Sequence, residues 1–272
     1  MGKSQMKRIA AIEKELLAVA KQEAKLEKAA LQEKTTRLKD SITEKIPEKV
    51  YLGLESAFAK GFALVFSKGR GIIEKSYSKE SLRQDHTIRD FAVQVKGNRR
   101  ELRKMHKSAK RSDFLNLAVT TAEGIGLGAL GVGMPDIVLF ITTLLKGIYE
   151  TALNYGFDYE DRREQLLILK MMAAALQTGD EWRELNADVE ALLTMPEGIV
   201  EEEEFQTQME ETSSVFAVDM LLLKFIQGIP VVGILGGAAN PVYYSKVMKY
   251  VQLKYRKRYL LNLLTMPIPY EK

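Results

Sequence analysis

The sequence predicts an all-α protein: a multi-helix bundle with glycine-rich apolar helices and an N-terminal extended helix. Three observations carry this. Apolar residues recur every three to four positions along most of the chain. The breaks fall at glycine, proline and helix-capping residues. No alternating, β-branched run stands between turns. With 272 residues, 46% of them hydrophobic, there is enough apolar material for one large helical core.

Residues 3–40 are rich in Ala, Glu, Lys and Leu. Ile9, Ile12, Leu16, Val19, Leu26 and Ala30 mark a heptad seam, broken where Glu23 takes the position between Val19 and Leu26. Such a helix packs lengthwise on a partner. The partner is either the body of the same chain or a second copy, giving self-association through residues 3–40. The expected division is therefore 1–40, a charged heptad-pattern helix that the fold can do without, and 41–272, the helical domain.

Pro47 suits the first turn of a new helix. This helix sets Gly53, Ala57 and Gly61 on one face beside Phe58, Phe62 and Phe66, and Ser67-Lys68-Gly69 is expected to end it. Ser78 reads as the N-cap of a polar helix running to about Lys110, interrupted at Gly97-Asn98. Ser112 reads as the cap of an apolar helix that enters Gly124, Gly126, Gly128, Gly131 and Gly133. Pro135 then starts a helix that stops at Gly156, and Asp158 caps another, closed by Gly179. Residues 194–211 read as an acidic loop or short helix. Ser213 or Ser214 opens a helix to Gly228, and Asn240-Pro241 caps the last one. Glycine pairs at i, i+4 (Gly124 with Gly128, Gly233 with Gly237) predict close helix crossings.

The absence of cysteine excludes disulfides, thiolate metal sites and cysteine nucleophiles, and suits a reducing compartment. The charged N-terminus lacks the apolar core of a signal peptide, and Met6 stands where a myristoylation signal needs Ser or Thr. Two apolar regions, Phe114 to Tyr149 and Phe225 to Ser245, are interrupted by charges, prolines or glycines. They read as buried or interfacial helices, since a span needs about 20 continuous apolar residues.

Net charge is only +4 but unevenly spread. Residues 96–111 hold eight Lys/Arg against Glu101, residues 246–258 hold six and no acid, and residues 180–211 hold twelve acids against Arg183. That polarity predicts oriented association with something anionic. In the last helix, Tyr243 and Tyr244 accompany Lys246, Lys249, Arg256 and Arg258, the composition of a membrane-interface belt. Arg99, Arg100, Arg103 and Lys104 form a second anion-contacting set. That basic run lacks interleaved aromatics, so no nucleic acid is expected.

No catalytic motif is recognisable, and no cofactor or metal is expected. Gly126-Leu127-Gly128-Ala129-Leu130-Gly131 matches G-x-G-x-x-G, but that motif holds pyrophosphate only between a strand and a helix. His86 precedes Asp90 by four residues, a metal-ligand spacing, yet no second cluster completes a site, and both histidines read as solvated. An alternative to a non-enzymatic role is an enzyme or small-ligand binder whose polar site comprises Glu123, Asp136, Asp158 and Asn240.

The chain resembles the EcsC family. The resemblance rests on Lys45-Ile46-Pro47-Glu48-Lys49-Val50, Glu123 with the glycine run into Met134-Pro135-Asp136-Ile137, and Lys146 to Glu150. Tyr155-Gly156-Phe157-Asp158, Ile229-Pro230-Val231-Val232-Gly233, Asn240 and Tyr255-Arg256-Lys257-Arg258-Tyr259-Leu260 follow in order. It spans about residues 40–262, with Met134 where the family usually has Leu. The resemblance implies a helical bacterial protein, from a family named after an operon that also encodes an ABC transporter. It implies no catalytic residues. The expected role is cytoplasmic and membrane-associated, binding an anionic membrane surface or a membrane protein such as an ABC transporter.

Overall fold

The computed structural model describes residues 3–32, 46–119, 135–194, 198–227 and 239–265. Among them every regular element is helical. Helix α1 spans Lys3–Ala30 and α2 spans Glu48–Leu64. A π-helical turn, Val65–Gly69, leads into α3, Arg70–Lys75. Then come α4 (Lys79–Lys96), α5 (Arg99–Val119) and α6 (Pro135–Asn154). The series ends with α7 (Arg162–Leu176), α8 (Gly179–Thr194), α9 (Glu202–Gln227) and α10 (Ala239–Thr265).

The bundle is built around α6, which touches α2, α3, α4, α5 and α10. Ile137, Val138, Ile141, Leu144, Leu145 and Ile148 on it are all buried. These six lie within an arc of about 120°, and the polar side that carries Lys146, Glu150 and Asn154 is buried as well, so the five neighbours cover the helix all round. Two stretches have the length and apolarity of a membrane span, Glu48–Lys68 and Ile137–Asn154. The second is 83% buried in the bundle, so its apolarity is that of a core helix.

The glycine–aromatic faces of α2 divide the work of packing. Gly61 lies against α6, where a Cβ would come within 2.7 Å of Ile141 Cδ1, whereas Gly53 faces open space. Phe58 and Phe62 meet Phe216 of α9 at 5.5 and 5.7 Å between ring centroids, and Phe66 meets Phe205 edge-on at 5.5 Å. Gly124, Gly128, Gly233 and Gly237 lie outside the described residues.

Several helix boundaries follow the sequence signals. Ser78 caps α4, its side chain accepting from the Ser81 amide at 3.2 Å. Gly97 ends α4 in the left-handed region at φ 55°. Pro135 opens α6, and Pro47 stands at the N-cap of α2. Others differ. Asp161, not Asp158, caps α7, accepting from the Arg163 amide at 2.8 Å. Ser112 lies inside α5. Ser213 lies inside α9, where its hydroxyl donates to the Met209 carbonyl at 2.7 Å. A capping-type residue whose hydroxyl finds the carbonyl four residues back no longer ends a helix. Nor does Ser67-Lys68-Gly69 end α2, since the π turn carries the chain on into α3.

Helix α1 docks along α10 and α5. Its seam buries Ala11, Ile12, Glu15 and Val19, with Leu16, Leu26 and Ala30 partly covered. The partner of the heptad seam is thus the chain's own body.

Candidate functional site

Two charged regions stand out, and they differ in what the charges do. The first is the seam between α1 and the body. Glu15, 2% exposed, is held by Arg256 of α10 and by Arg99 and Arg103 of α5. Two turns on, Glu23 accepts from Lys254 at 2.8 Å and Lys257 at 3.0 Å, and Glu190 of α8 binds the same two lysines. Lys254 itself is 2% exposed. A buried ion is tolerated only when opposite charge and hydrogen bonds replace its lost water, and α1 brings half of that replacement.

Beside this seam, α1, α8 and α10 enclose a cleft of about 280 Å3, lined by Glu23, Leu26, Trp182, Asn186, Glu190 and Tyr250 among others. Its lysines, Lys254 and Lys257, are both paired with Glu23 and Glu190, and Glu27 adds a third carboxylate to the lining. Burial raises the Glu15 carboxyl, but hydrogen bonds and charge from Arg99 and Arg256 outweigh it and hold the group below its usual 4.5. Glu23 is lowered in the same way against its own desolvation, by Lys254 and Lys257. Burial works to lower Lys257, yet Glu190 and Glu23 raise it above its usual 10.5.

These directions give a pH window for α1 docking. A depressed carboxylate stabilises above its unfolded value and loses that contribution as pH falls through the folded one. A raised lysine stabilises below 10.5 and loses its contribution as pH rises further. Docking is therefore expected to weaken below 4.5. Trp182 is the one tryptophan of the chain and lines the cleft against α1, so its emission should shift to the red there before helical ellipticity is lost. Emission that stays fixed until global unfolding would remove the argument.

The second region is the outward face of α5. Arg100 and Lys107 are exposed, and the side chains of Arg103 and Lys104 are 60% and 54% exposed. Arg99 is 41% and Lys96, at the end of α4, 56% exposed. Beneath them lie two buried carboxylates: Glu15, and Glu101, which Lys104 reaches at 3.0 Å and Lys96 at 3.7 Å. Six cationic heads thus stand outside with two acids below.

The structure divides the sequence-predicted anion-contacting set. Arg99, Arg100, Arg103 and Lys104 lie on this outward face. Lys249 is exposed, and Lys246 donates to the Leu176 carbonyl at 3.2 Å. Arg256 and Arg258 point inward; Arg258 pairs with Glu164 at 2.6 Å and stacks over Phe157 at 4.1 Å. Tyr243 and Tyr244 are 3% and 4% exposed, so their rings lie inside the protein and not at its surface. Tyr250, Tyr255 and Tyr259 are buried too, donating to Asn186, Glu164 and Asp90. Apolar and tyrosine positions occur all round α10, which makes it a second core helix in which the hydroxyls of Tyr243, Tyr250, Tyr255 and Tyr259 each donate to a partner. That even spread is the sequence signal that marks it as a core helix.

Of the candidate pocket, Glu123 lies outside the described residues, while Asp136 and Asn240 occupy the first turns of α6 and α10. Asp158 is in the α6–α7 turn, paired with Arg83 at 2.8 Å. The described residues do not show these four together. A polar cluster that sequence reading missed lies at the far end of α6. There the Asn154 carbonyl meets His86 Nδ1 at 3.1 Å, Asn154 Nδ2 donates to the Glu150 carbonyl at 2.8 Å, and His106 Nδ1 meets the Tyr155 hydroxyl at 3.0 Å. The histidines are half-buried packing groups rather than solvated ones. Asp90 is committed to Tyr259 and Gln94, and no three metal-binding side chains cluster among the described residues.

Fold and charge together define a helical protein with an internally neutralised N-terminal seam and one open cationic face. The chain belongs to the EcsC family, whose pattern it matches over residues 10–260. It is similar to Protein EcsC of Bacillus subtilis (strain 168), 25% identical over 210 residues, covering 75% of this chain and 76% of that one. No solved structure matches it. The family match begins inside α1 and so takes in the helix that the sequence reading placed outside the resemblance.

Proposed function

We propose that this protein works at the cytoplasmic membrane surface as a binding protein for anionic lipid, with the outward face of α5 as its contact. The supporting observation is the row Lys96, Arg99, Arg100, Arg103, Lys104 and Lys107, six cations over the two acids Glu15 and Glu101, which leaves the face with an excess of positive charge. The cytoplasmic leaflet is the anionic one, and each Lys or Arg near it contributes about 1 kcal/mol. Four such contacts amount to about 4 kcal/mol, near-millimolar affinity alone. Binding of useful strength therefore needs an apolar contribution as well.

Purified protein is expected to co-sediment with vesicles containing phosphatidylserine and not with purely zwitterionic ones, and less so as salt rises. Replacing Arg100, Lys104 and Lys107 by Gln should weaken binding, while neutralising Glu201 to Glu204, exposed at the start of α9, should not. Failure to bind anionic vesicles at low salt would overturn the proposal.

A further inference from the structure

Helix α4 presents an outward face that solvent alone does not explain. Ile88, Phe91 and Val95 are 67%, 55% and 54% exposed. At 100° per residue they fall within an arc of about 60°, opposite the buried Val93. Gln84 falls in the same arc, which therefore carries no charge between Ser81 and Lys96. The acids of α4 lie elsewhere: Asp85 pairs with Arg89 at 2.8 Å, and Asp90 accepts from Tyr259 at 2.7 Å. A surface helix normally turns its charged side outward. Here the outward side is apolar and neutral.

The stripe runs straight into the cationic row. Val95 adjoins Lys96, the turn at Gly97 and Asn98 follows, and Arg99 and Arg100 open α5. Lys96 of α4 and Lys104 of α5 share the Glu101 carboxylate, so the basic row begins at the end of α4 that carries Val95. Exposed apolar side chains bordered by lysine and arginine are the composition of a helix lying at the boundary between headgroups and acyl chains. A protein groove would have to supply acids around an apolar patch, whereas an anionic leaflet offers both at once.

We infer that α4 is the element that enters the bilayer, its Ile88–Phe91–Val95 stripe seated among the acyl chains while the α5 cations hold the headgroups. The occupant of this face is the anionic leaflet itself. This rests on the membrane-surface reading above and adds the apolar anchor which that reading requires.

The test is a triple variant, Ile88→Ser, Phe91→Ser and Val95→Ser, with Leu17→Ser, 59% exposed on α1, as the control. The triple variant should keep the wild-type melting temperature, because the positions are exposed, and bind phosphatidylserine vesicles at least about tenfold more weakly. The binding that survives high salt in the wild type should vanish in the triple variant and persist in Leu17→Ser. If the wild type binds and the triple variant binds equally well, the anchor is wrong and the cationic reading stands. If the wild type is a dimer in solution and the triple variant a monomer, the stripe is a contact between copies and the inference falls. If the wild type binds no anionic vesicle, the membrane reading fails and the anchor with it.

Discussion

Replacing Glu15 by Ala is expected to destabilise the protein by about 3–5 kcal/mol, the range for removing one partner of a buried ion pair. Arg256, 6% exposed, would be left in the interior with its counter-charge gone, and Arg99 and Arg103 would lose their shared carboxylate. In a chain of this size that is a fall in melting temperature of roughly 6–20 °C. Glu13→Ala, on the exposed side of the same helix, should change little. Deleting residues 1–32 goes further, because it also uncovers the surfaces that cover Ile12 and Val19 and strips Glu23 from Lys254. Loss of a cooperative transition is expected for that deletion, contrary to what the heptad segment suggests when read as an appendage. Calorimetry decides the matter: a Glu15→Ala variant within about 1 kcal/mol of wild type would show the seam to be a surface pairing.

The second large effect is expected at Gly147, on the side of α6 that faces α10. A Cβ there would overlap the Tyr244 hydroxyl and come within 3.1 Å of its Cζ and 3.3 Å of Met248 Sδ. Tyr244 is buried with its ring fixed by packing, so α6 and α10 would have to part. Overpacking a core typically costs 1–3 kcal/mol, and Gly147→Leu should lie at about the top of that range or beyond. Gly53→Leu is the contrast, since nothing lies near its Cβ position. Exchanging glycine for a good helix former there should leave stability unchanged or raise it by up to about 1 kcal/mol. Equal denaturation midpoints for the two variants would refute the close crossing.

Much of the fold is legible in the sequence because helix ends are local. Ser78, Gly97 and Pro135 mark real boundaries, each through backbone chemistry within one turn. The helix side that a residue occupies is not local. Tyr243 and Tyr244 have the company of lysines that an interface belt would have, yet neighbouring helices cover them. Glu23 looks like a flaw in the heptad seam until Lys254 and Lys257 are seen across from it. The charge was matched to a helix whose identity no spacing within residues 3–40 reveals. The exposed stripe of α4 was legible only in principle: Ile88, Phe91 and Val95 have ordinary core spacing, and only a fold can show that more than half of each side chain faces outward.

The pairs that seat α1 join residues 231 and 241 positions apart, Glu23 with Lys254 and Glu15 with Arg256. On a ribosome adding 5–20 residues per second, α1 would wait roughly 12–50 s for the helix that neutralises it. Its closure is a ring closure, entropically among the most expensive contacts the chain makes. Meanwhile its apolar seam and Glu23 are open to the α10 of another chain, while Glu15 already has Arg99 and Arg103 of α5. Crowded refolding thus favours exchange of α1 between copies, and the same salt bridges that complete one molecule would then join two.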